Sequence, residues 1–191
     1  GFMKISLPEG SELDLTSFED AEDYLTKRTA KSRKHIRKDI LQFEEQFEVI
    51  VKNSLEESEL DQAYQLYLNV QKNNKALNNI TYPFKLMQQM NTAGDWEFLL
   101  FYLRKDNNPL VGIGCTHKGH KTYQGVLLGM DYRYHEYKTY KQILYQVIMR
   151  AKHLDKEAVH LGLTANLEKR KLGSKILPRV GFLQTDTNFD L

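Results

Sequence analysis

Apolar positions recur at two spacings along this chain, and the switch between them marks its elements. Pro109 to His117 is a short apolar run rich in β-branched residues, and Tyr123 to Met130 is a second. The turn-like Lys118-Gly-His-Lys121 lies between them, so the pair predicts a β-hairpin. Beyond Asp131 the period lengthens. Tyr140, Ile143, Leu144, Val147, Ile148, Ala151 and Leu154 fall at helical steps and predict one long helix inside 137–154, with a broad face toward a core. A strand over Ala158 to Leu163 and a helix over roughly Asn166 to Leu172 complete the order strand, strand, helix, strand, helix.

The earlier part of the chain reads in the same way. Lys4-Ile-Ser-Leu7 predicts an edge strand closed by Pro8-Glu-Gly10. Thr16-Ser-Phe-Glu19 has the form of a capping box, opening a helix through Leu25. After Thr29, Ile36, Ile40, Phe43 and Phe47 form one apolar face of a second helix. Phe47 to Lys52 predicts the first strand of the main sheet. Ser54-Leu-Glu-Glu57 offers another capping box, with Ser58 as the alternative cap, for a helix through Val70 whose core face is Leu60, Ala63, Tyr64, Tyr67 and Leu68. Asn73 to Asn79 reads as a polar loop, and Tyr82-Pro83 as the start of a short helix through Met90 with Gly94 as its C-cap. Trp96 to Leu103 predicts a strand, and Asp106-Asn-Asn-Pro109 the turn into the hairpin.

Composition narrows the class. A chain of 191 residues suits a single domain, with an N-terminal strand and helices over 1–46 and the main sheet over 47–191. Hydrophobic residues make up 41% and charged residues 27%, as in an ordinary globular protein. A net charge of +2 gives no global footprint for nucleic acid. The one cysteine, Cys115, excludes an internal disulfide and reads as a buried, inert thiol. No apolar run reaches about 18 residues, so no membrane span is predicted. Gly1-Phe-Met-Lys4 lacks the apolar core of a signal peptide. The expectation is a cytoplasmic domain excised from a longer protein.

Candidate chemistry is sparse. The polar face of the second helix carries Lys31, Arg33, Lys34, His35, Arg37 and Lys38. Arg33 and Arg37, one helical turn apart, present two forks to a carboxylate or phosphate of a substrate. A solvated surface and a local nucleic-acid stripe are the other readings of the same residues. Six histidines, at 35, 117, 120, 135, 153 and 160, show no metal-ligand spacing. Gly-x-Ser-x-Gly is absent, and the strand glycines at 112, 114, 125 and 129 do not form a P-loop.

The element order resembles the second half of GNAT-type acyl-CoA N-acyltransferases. The resemblance is nearer to the divergent branch allied to the Fem-type peptidoglycan aminoacyl transferases. It is carried by Leu128-Gly-Met-Asp131, Tyr137-Lys-Thr-Tyr140, and Leu161-Gly-Leu-Thr164 followed by Lys169 and Leu172-Gly173. Leu7-Pro8, Tyr24-Leu25 and Ser32-Arg-Lys-His-Ile-Arg37 add to it. It implies an α/β (α+β) fold, a mixed and mostly antiparallel sheet with helices on both faces. It also implies acyl-CoA as co-substrate, an amine acceptor and no metal. Leu128, Gly129 and Met130 would then bond the pantetheine arm. The helix start at Tyr137, Lys138 and Thr139, with Lys141, would face the pyrophosphate. Lys169 stands where such enzymes usually present a tyrosine, four residues before a glycine. Asp131, Tyr132 and His135 lie just beyond the pantetheine strand and complete the catalytic candidates. Where those enzymes carry a glycine-rich phosphate loop, this chain has Tyr134-His-Glu-Tyr-Lys-Thr-Tyr140. That departure keeps two alternatives open. One is a non-catalytic binding or regulatory module of a larger protein, and the other a Fem-like aminoacyl transferase.

Overall fold

A computed structural model describes residues 2–73, 81–105 and 107–184. Seven strands form one sheet: β1 (Met3–Asp14), β2 (Phe47–Lys52), β3 (Trp96–Leu103), β4 (Leu110–Lys118), β5 (Thr122–Met130), β6 (Ala158–Leu163) and β7 (Lys175–Leu183). Their spatial order is β2-β3-β4-β5-β6-β1-β7, and every pair is antiparallel except β5–β6. The helices are α1 (Ala21–Thr26), α2 (Ala30–Ile36), α3 (Gln42–Glu44), α4 (Glu57–Asn73), α5 (Phe84–Thr92), α6 (Thr139–His153) and α7 (Asn166–Lys171). This is the mixed α/β fold expected, with the hairpin, the long helix and the strand after it in the predicted places.

Both faces of the sheet centre are covered, so β3 is a continuous apolar run rather than an alternating one. Leu99, Phe101 and Leu103 pack toward α6, α2 and α1, with Leu13, Tyr24, Ile36, Ile143 and Val147. Phe98 and Leu100 point the other way, onto Leu60, Ala63, Met87 and Met90 of α4 and α5. The α4 backbone lies directly on β5: a methyl added at Gly129 would come within 2.4 Å of the Tyr67 amide nitrogen. Inside the α6 layer, a π-helical stretch, Arg37–Leu41, joins α2 to α3. Its looser ladder leaves the Ile40 carbonyl to accept from the buried Gln142 side chain. A buried polar knot ties the layers together. Arg150 of α6 donates two bonds to Glu97 of β3, at 3.0 and 2.7 Å, and Tyr123 of β5 donates a third at 2.9 Å.

Several local expectations need correction. β1 does not stop at Pro8; its Lys4–Leu7 part pairs with β7 alone, and the rest is an inner strand. It runs to Asp14 between β6 and β7, taking up Pro8-Glu-Gly10 in register shifts, as bulges do. The edge is β7, a strand the sequence reading did not foresee. It contains Pro178, which an edge strand tolerates. The cap of α1 is Asp20, which accepts from the amides of Glu22 and Asp23, while Thr16 bonds Asp14 instead. At α4 the reciprocal bond runs from the Glu56 amide to the Glu59 carboxylate, two residues beyond the box drawn on Ser54. Gly94 takes no positive φ, and α5 ends at Ala93 in extended conformation. The continuous helix expected through Phe43 to Phe47 is broken, and Phe47 opens β2. Of the loop predicted over 73–79, residues 74–79 lie outside the described residues, as does Asp106 of the turn before β4.

Candidate active site

The site begins with an interrupted strand pair. The parallel register between β5 and β6 covers Thr122↔Ala158, Tyr123↔Val159 and Gln124↔His160, and ends there. Gly125 still lies against Gly162, but past it the strands separate, so β5 from Val126 to Met130 faces a gap on its β6 side. A strand without a neighbour presents its backbone donors and acceptors to whatever fills the gap. What lies there is a cavity of about 1150 Å³. Leu128 and Met130 wall it from β5, Tyr140, Ile143, Leu144 and Val147 from α6, and Leu161 to Ala165 from the end of β6. Tyr67, Val70 and Asn73 of α4 also line it, together with Tyr82. Because α4 and α6 cover opposite faces of the sheet, the cavity passes through the sheet at the splay.

Lys169 of α7 borders this cavity and is only 2% exposed. Its ammonium donates to the Leu163 carbonyl at 2.7 Å, and no described carboxylate pairs with it. Burial without a counter-charge disfavours the cation and brings its pKa down to about 8. The helix that carries it ends in a Schellman turn: the Ser174 amide donates to the Lys169 carbonyl and the Gly173 amide to that of Arg170. Gly173 takes φ +91°, which is why a glycine stands there. Just upstream, Thr164 and Ala165 both adopt left-handed backbone (φ +57° and +49°) at the cavity wall. Two consecutive non-glycine residues in that region are a store of strain of the kind found at functional sites.

The segment between β5 and α6 is ordered differently from the predicted helix start. A 3-10 turn, Tyr132–Tyr137, comes first, then Lys138 in left-handed conformation (φ +60°), and α6 begins at Thr139. Asp131 accepts from the Arg133 amide and from its guanidinium at 2.6 Å. That hydrogen bond outweighs partial burial and holds the Asp131 carboxyl below its usual value. Tyr132 lines the cavity, whereas the His135 side chain is turned out to solvent. Tyr137 lies under the Lys105 ammonium. Thr139 is buried, its methyl against Gly112. Lys141 is engaged elsewhere: its ammonium is 2.8 Å from Asp39 and 3.6 Å from Glu168. His35 bridges the same two carboxylates, at 2.9 and 3.3 Å. Desolvation and the neighbouring Lys141 lower the pKa of His35.

Thus Leu128, Met130, Tyr132 and Lys169 share one cavity, while Gly129 is committed to α4 packing. The basic helix forms a different feature. Arg33, Lys34, Arg37 and Lys38 line a separate shallow groove. Arg33 is partly consumed there, donating to the Arg28 and Thr26 carbonyls past the end of α1. Arg37, Lys34 and Lys38 are exposed and carry no ion pair among the described residues. Cys115 is fully buried and its thiol is pushed up to about 12 by desolvation. Cavity residues not named as site candidates from the sequence include Tyr140 and Thr164, which stand in the motifs that carry the resemblance, and Arg179. Tyr140 was visible as an apolar helix position. Arg179 sits on the unforeseen strand β7 and had no signal.

The domain described as "Acetyltransferase (GNAT) domain" matches residues 30–170. No curated protein matches the chain in sequence. Among solved structures, FemX superposes with TM-score 0.69 at 10% identity, covering 91% of this chain and 60% of that one. A putative lysylphosphatidylglycerol synthetase C-terminal domain from Agrobacterium fabrum gives 0.61 at 15% identity, covering 94% and 61%. L-PGS from Bacillus licheniformis gives 0.63 at 10% identity, covering 99% and 63%. At such identities the likeness is one of fold. The chain spans roughly three-fifths of the length of these structures.

Proposed function

Because the chain belongs to the acetyltransferase (GNAT) domain family, we propose that it moves an acyl group from acyl-CoA to an amine. The observation that carries this reading is the cavity at the β5–β6 splay with Lys169 in its wall. The donor's pantetheine arm lies along the open side of β5, bonding the backbone of Leu128, Gly129 and Met130. Its pyrophosphate turns toward the first turn of α6, where free amides and the helix dipole favour anions. Lys138 supplies the nearby cation, and Lys141, tied to Asp39, acts by holding α6 against the π-helical stretch.

The acceptor enters from the α4 side of the sheet. Its neutral nitrogen attacks the thioester carbonyl, forming the C–N bond and an oxyanion. Collapse breaks the C–S bond and expels the CoA thiolate. Lys169, mostly ammonium at neutral pH with a pKa of about 8, donates its proton to that thiolate. It is recharged by the proton the amine loses, and the products are an amide and free CoA thiol. Asp131, ion-paired and capping the 3-10 turn, positions Tyr132 at the cavity instead of serving as a base. Holding both reactants in line supplies much of the acceleration, so no triad is required.

The test is thiol release from acetyl-CoA and octanoyl-CoA over a panel of amines. Lys169→Met is expected to lower kcat by about 10²-fold while leaving donor affinity within a few-fold. Wild-type turnover should fall as pH rises through about 8, where Lys169 loses its proton. An unchanged kcat in Lys169→Met removes Lys169 from the chemistry.

One observation favours a second reading. The α2 groove, with Lys34, Arg37 and Lys38 unpaired among the described residues, suits a polyanionic donor such as an aminoacyl-tRNA. Donor binding that weakens steeply with salt and is lost in Arg37→Ala would favour it over acyl-CoA.

A further inference from the structure

Arg179 is the second cation of the cavity, and it differs from Lys169 in origin and burial. It comes from β7, on the far side of β1, and it is exposed. Its side chain crosses the sheet over Gly10: a methyl at Gly10 would lie within 2.3 Å of the Arg179 Nε. Any larger residue there would displace it, so β1 leaves a bare place for the guanidinium to lie on. The nearest carboxylates along β1 are occupied. Glu12 holds His160 at 2.9 Å, and Glu9 accepts from Asn166 at 2.8 Å. Among the described residues Arg179 has neither an ion pair nor a hydrogen bond, although its five donors form a fork suited to carboxylate.

The rest of the wall strengthens the point. No aspartate or glutamate lines this cavity, among the described residues, while Lys169 and Arg179 both do. A cavity with cations and no acid disfavours a polyamine or any other acceptor whose molecule is purely cationic. It favours an amine borne on an anionic molecule. One guanidinium fork matches the two oxygens of one carboxylate in a bidentate pair, which would leave Lys169 free for the thiolate.

Resting on the acyl-transfer reading above, we propose that the acceptor is an amino-carboxylate, an amino acid or short peptide, and that Arg179 binds its carboxylate. Arg179 is then the specificity residue at the acceptor mouth, placed by β7 across Gly10, in a cavity that Tyr82 and Asn73 also line.

The experiment is calorimetric titration of the whole chain with glycylglycine, with glycylglycinamide and with phosphoethanolamine. The first two bear similar amines and differ in the carboxylate. Wild type is expected to bind the dipeptide at least tenfold more tightly than its amide. Arg179→Gln should erase that preference and leave the amide's affinity unchanged, and Arg179→Lys should restore only part of it. Equal affinity for acid and amide, a preference that survives Arg179→Gln, or no binding of either peptide would overturn the proposal. Tighter binding of phosphoethanolamine than of the dipeptide would overturn the carboxylate assignment. Acetyl-CoA titrated into Arg179→Gln separates this proposal from the reading beneath it. Its affinity should equal that of wild type, and its absence in both proteins would sink the donor hypothesis instead.

Discussion

Lys169 is a residue whose chemistry works against the fold. Its pKa is lowered in the folded chain from 10.5 to about 8, so the unfolded chain holds more protons between those values. Stability therefore rises with pH from about 8 to 10.5, and the penalty for the buried ammonium is fully present below 8. A shift of that size corresponds to roughly 3 kcal/mol. Losing the bond to the Leu163 carbonyl returns about 1 kcal/mol of it. We predict that Lys169→Met is more stable than wild type at pH 7 by roughly 2 kcal/mol, or about 4–8 °C in Tm, while turnover falls. Thermal denaturation at pH 7 and pH 10 checks both signs, because the advantage should shrink at the higher pH. Residues of this kind are legible in part. Lys169 was found through its place before Leu172-Gly173, but nothing in its neighbours announced that it is buried. Asp131 and His135 look equally chemical in the sequence. The structure spends the first on Arg133 and turns the second out to solvent.

At the scale of elements, two contacts position the cleft. The first is α4 on β5, where Gly129 lets the Tyr67 backbone approach. Gly129→Ala puts a methyl against main chain that cannot yield, and should cost about 1–3 kcal/mol, read as a lower urea midpoint with unchanged slope. The second is the Glu97 knot. Burial opposes ionisation of Glu97, but the bonds from Arg150 and Tyr123 outweigh it and keep the carboxylate charged. Arg150→Met leaves that carboxylate only the Lys118 cation, 3.8 Å away, and should destabilise by about 3 kcal/mol, the low end for a broken buried pair. Arg150→Met with Glu97→Gln should recover part of the loss, since no charge is then left unpaired. The elements of the core half were legible because their apolar period is strong: β3, β4, β5, β6 and α6 fall within a residue or two of their predicted bounds. The periphery was not. Caps at Asp20 and Glu59 compete with nearby Ser, Thr and Glu of equal promise, and only the packed geometry chooses among them. Pro8 reads as a breaker because a sequence does not say which strand side faces a partner or which strand is an edge.

At the scale of the whole molecule, the fold places a strand gap, a helix start and a buried lysine around one passage through the sheet. The order of elements was readable. That β1 closes the far side between β6 and β7, and so brings Arg179 to the passage, was not, because it depends on pairing across most of the chain. The central claim is that this passage receives acyl-CoA. Its most direct test is calorimetric titration of the wild type and of Lys138→Glu with acetyl-CoA and a longer acyl-CoA. The account predicts one-to-one binding by the wild type, weaker than in enzymes with a glycine phosphate loop because Tyr134 to Tyr137 crowd the pyrophosphate. It also predicts a further loss of at least several-fold in Lys138→Glu. No binding of either thioester by the wild type at millimolar concentration would contradict it.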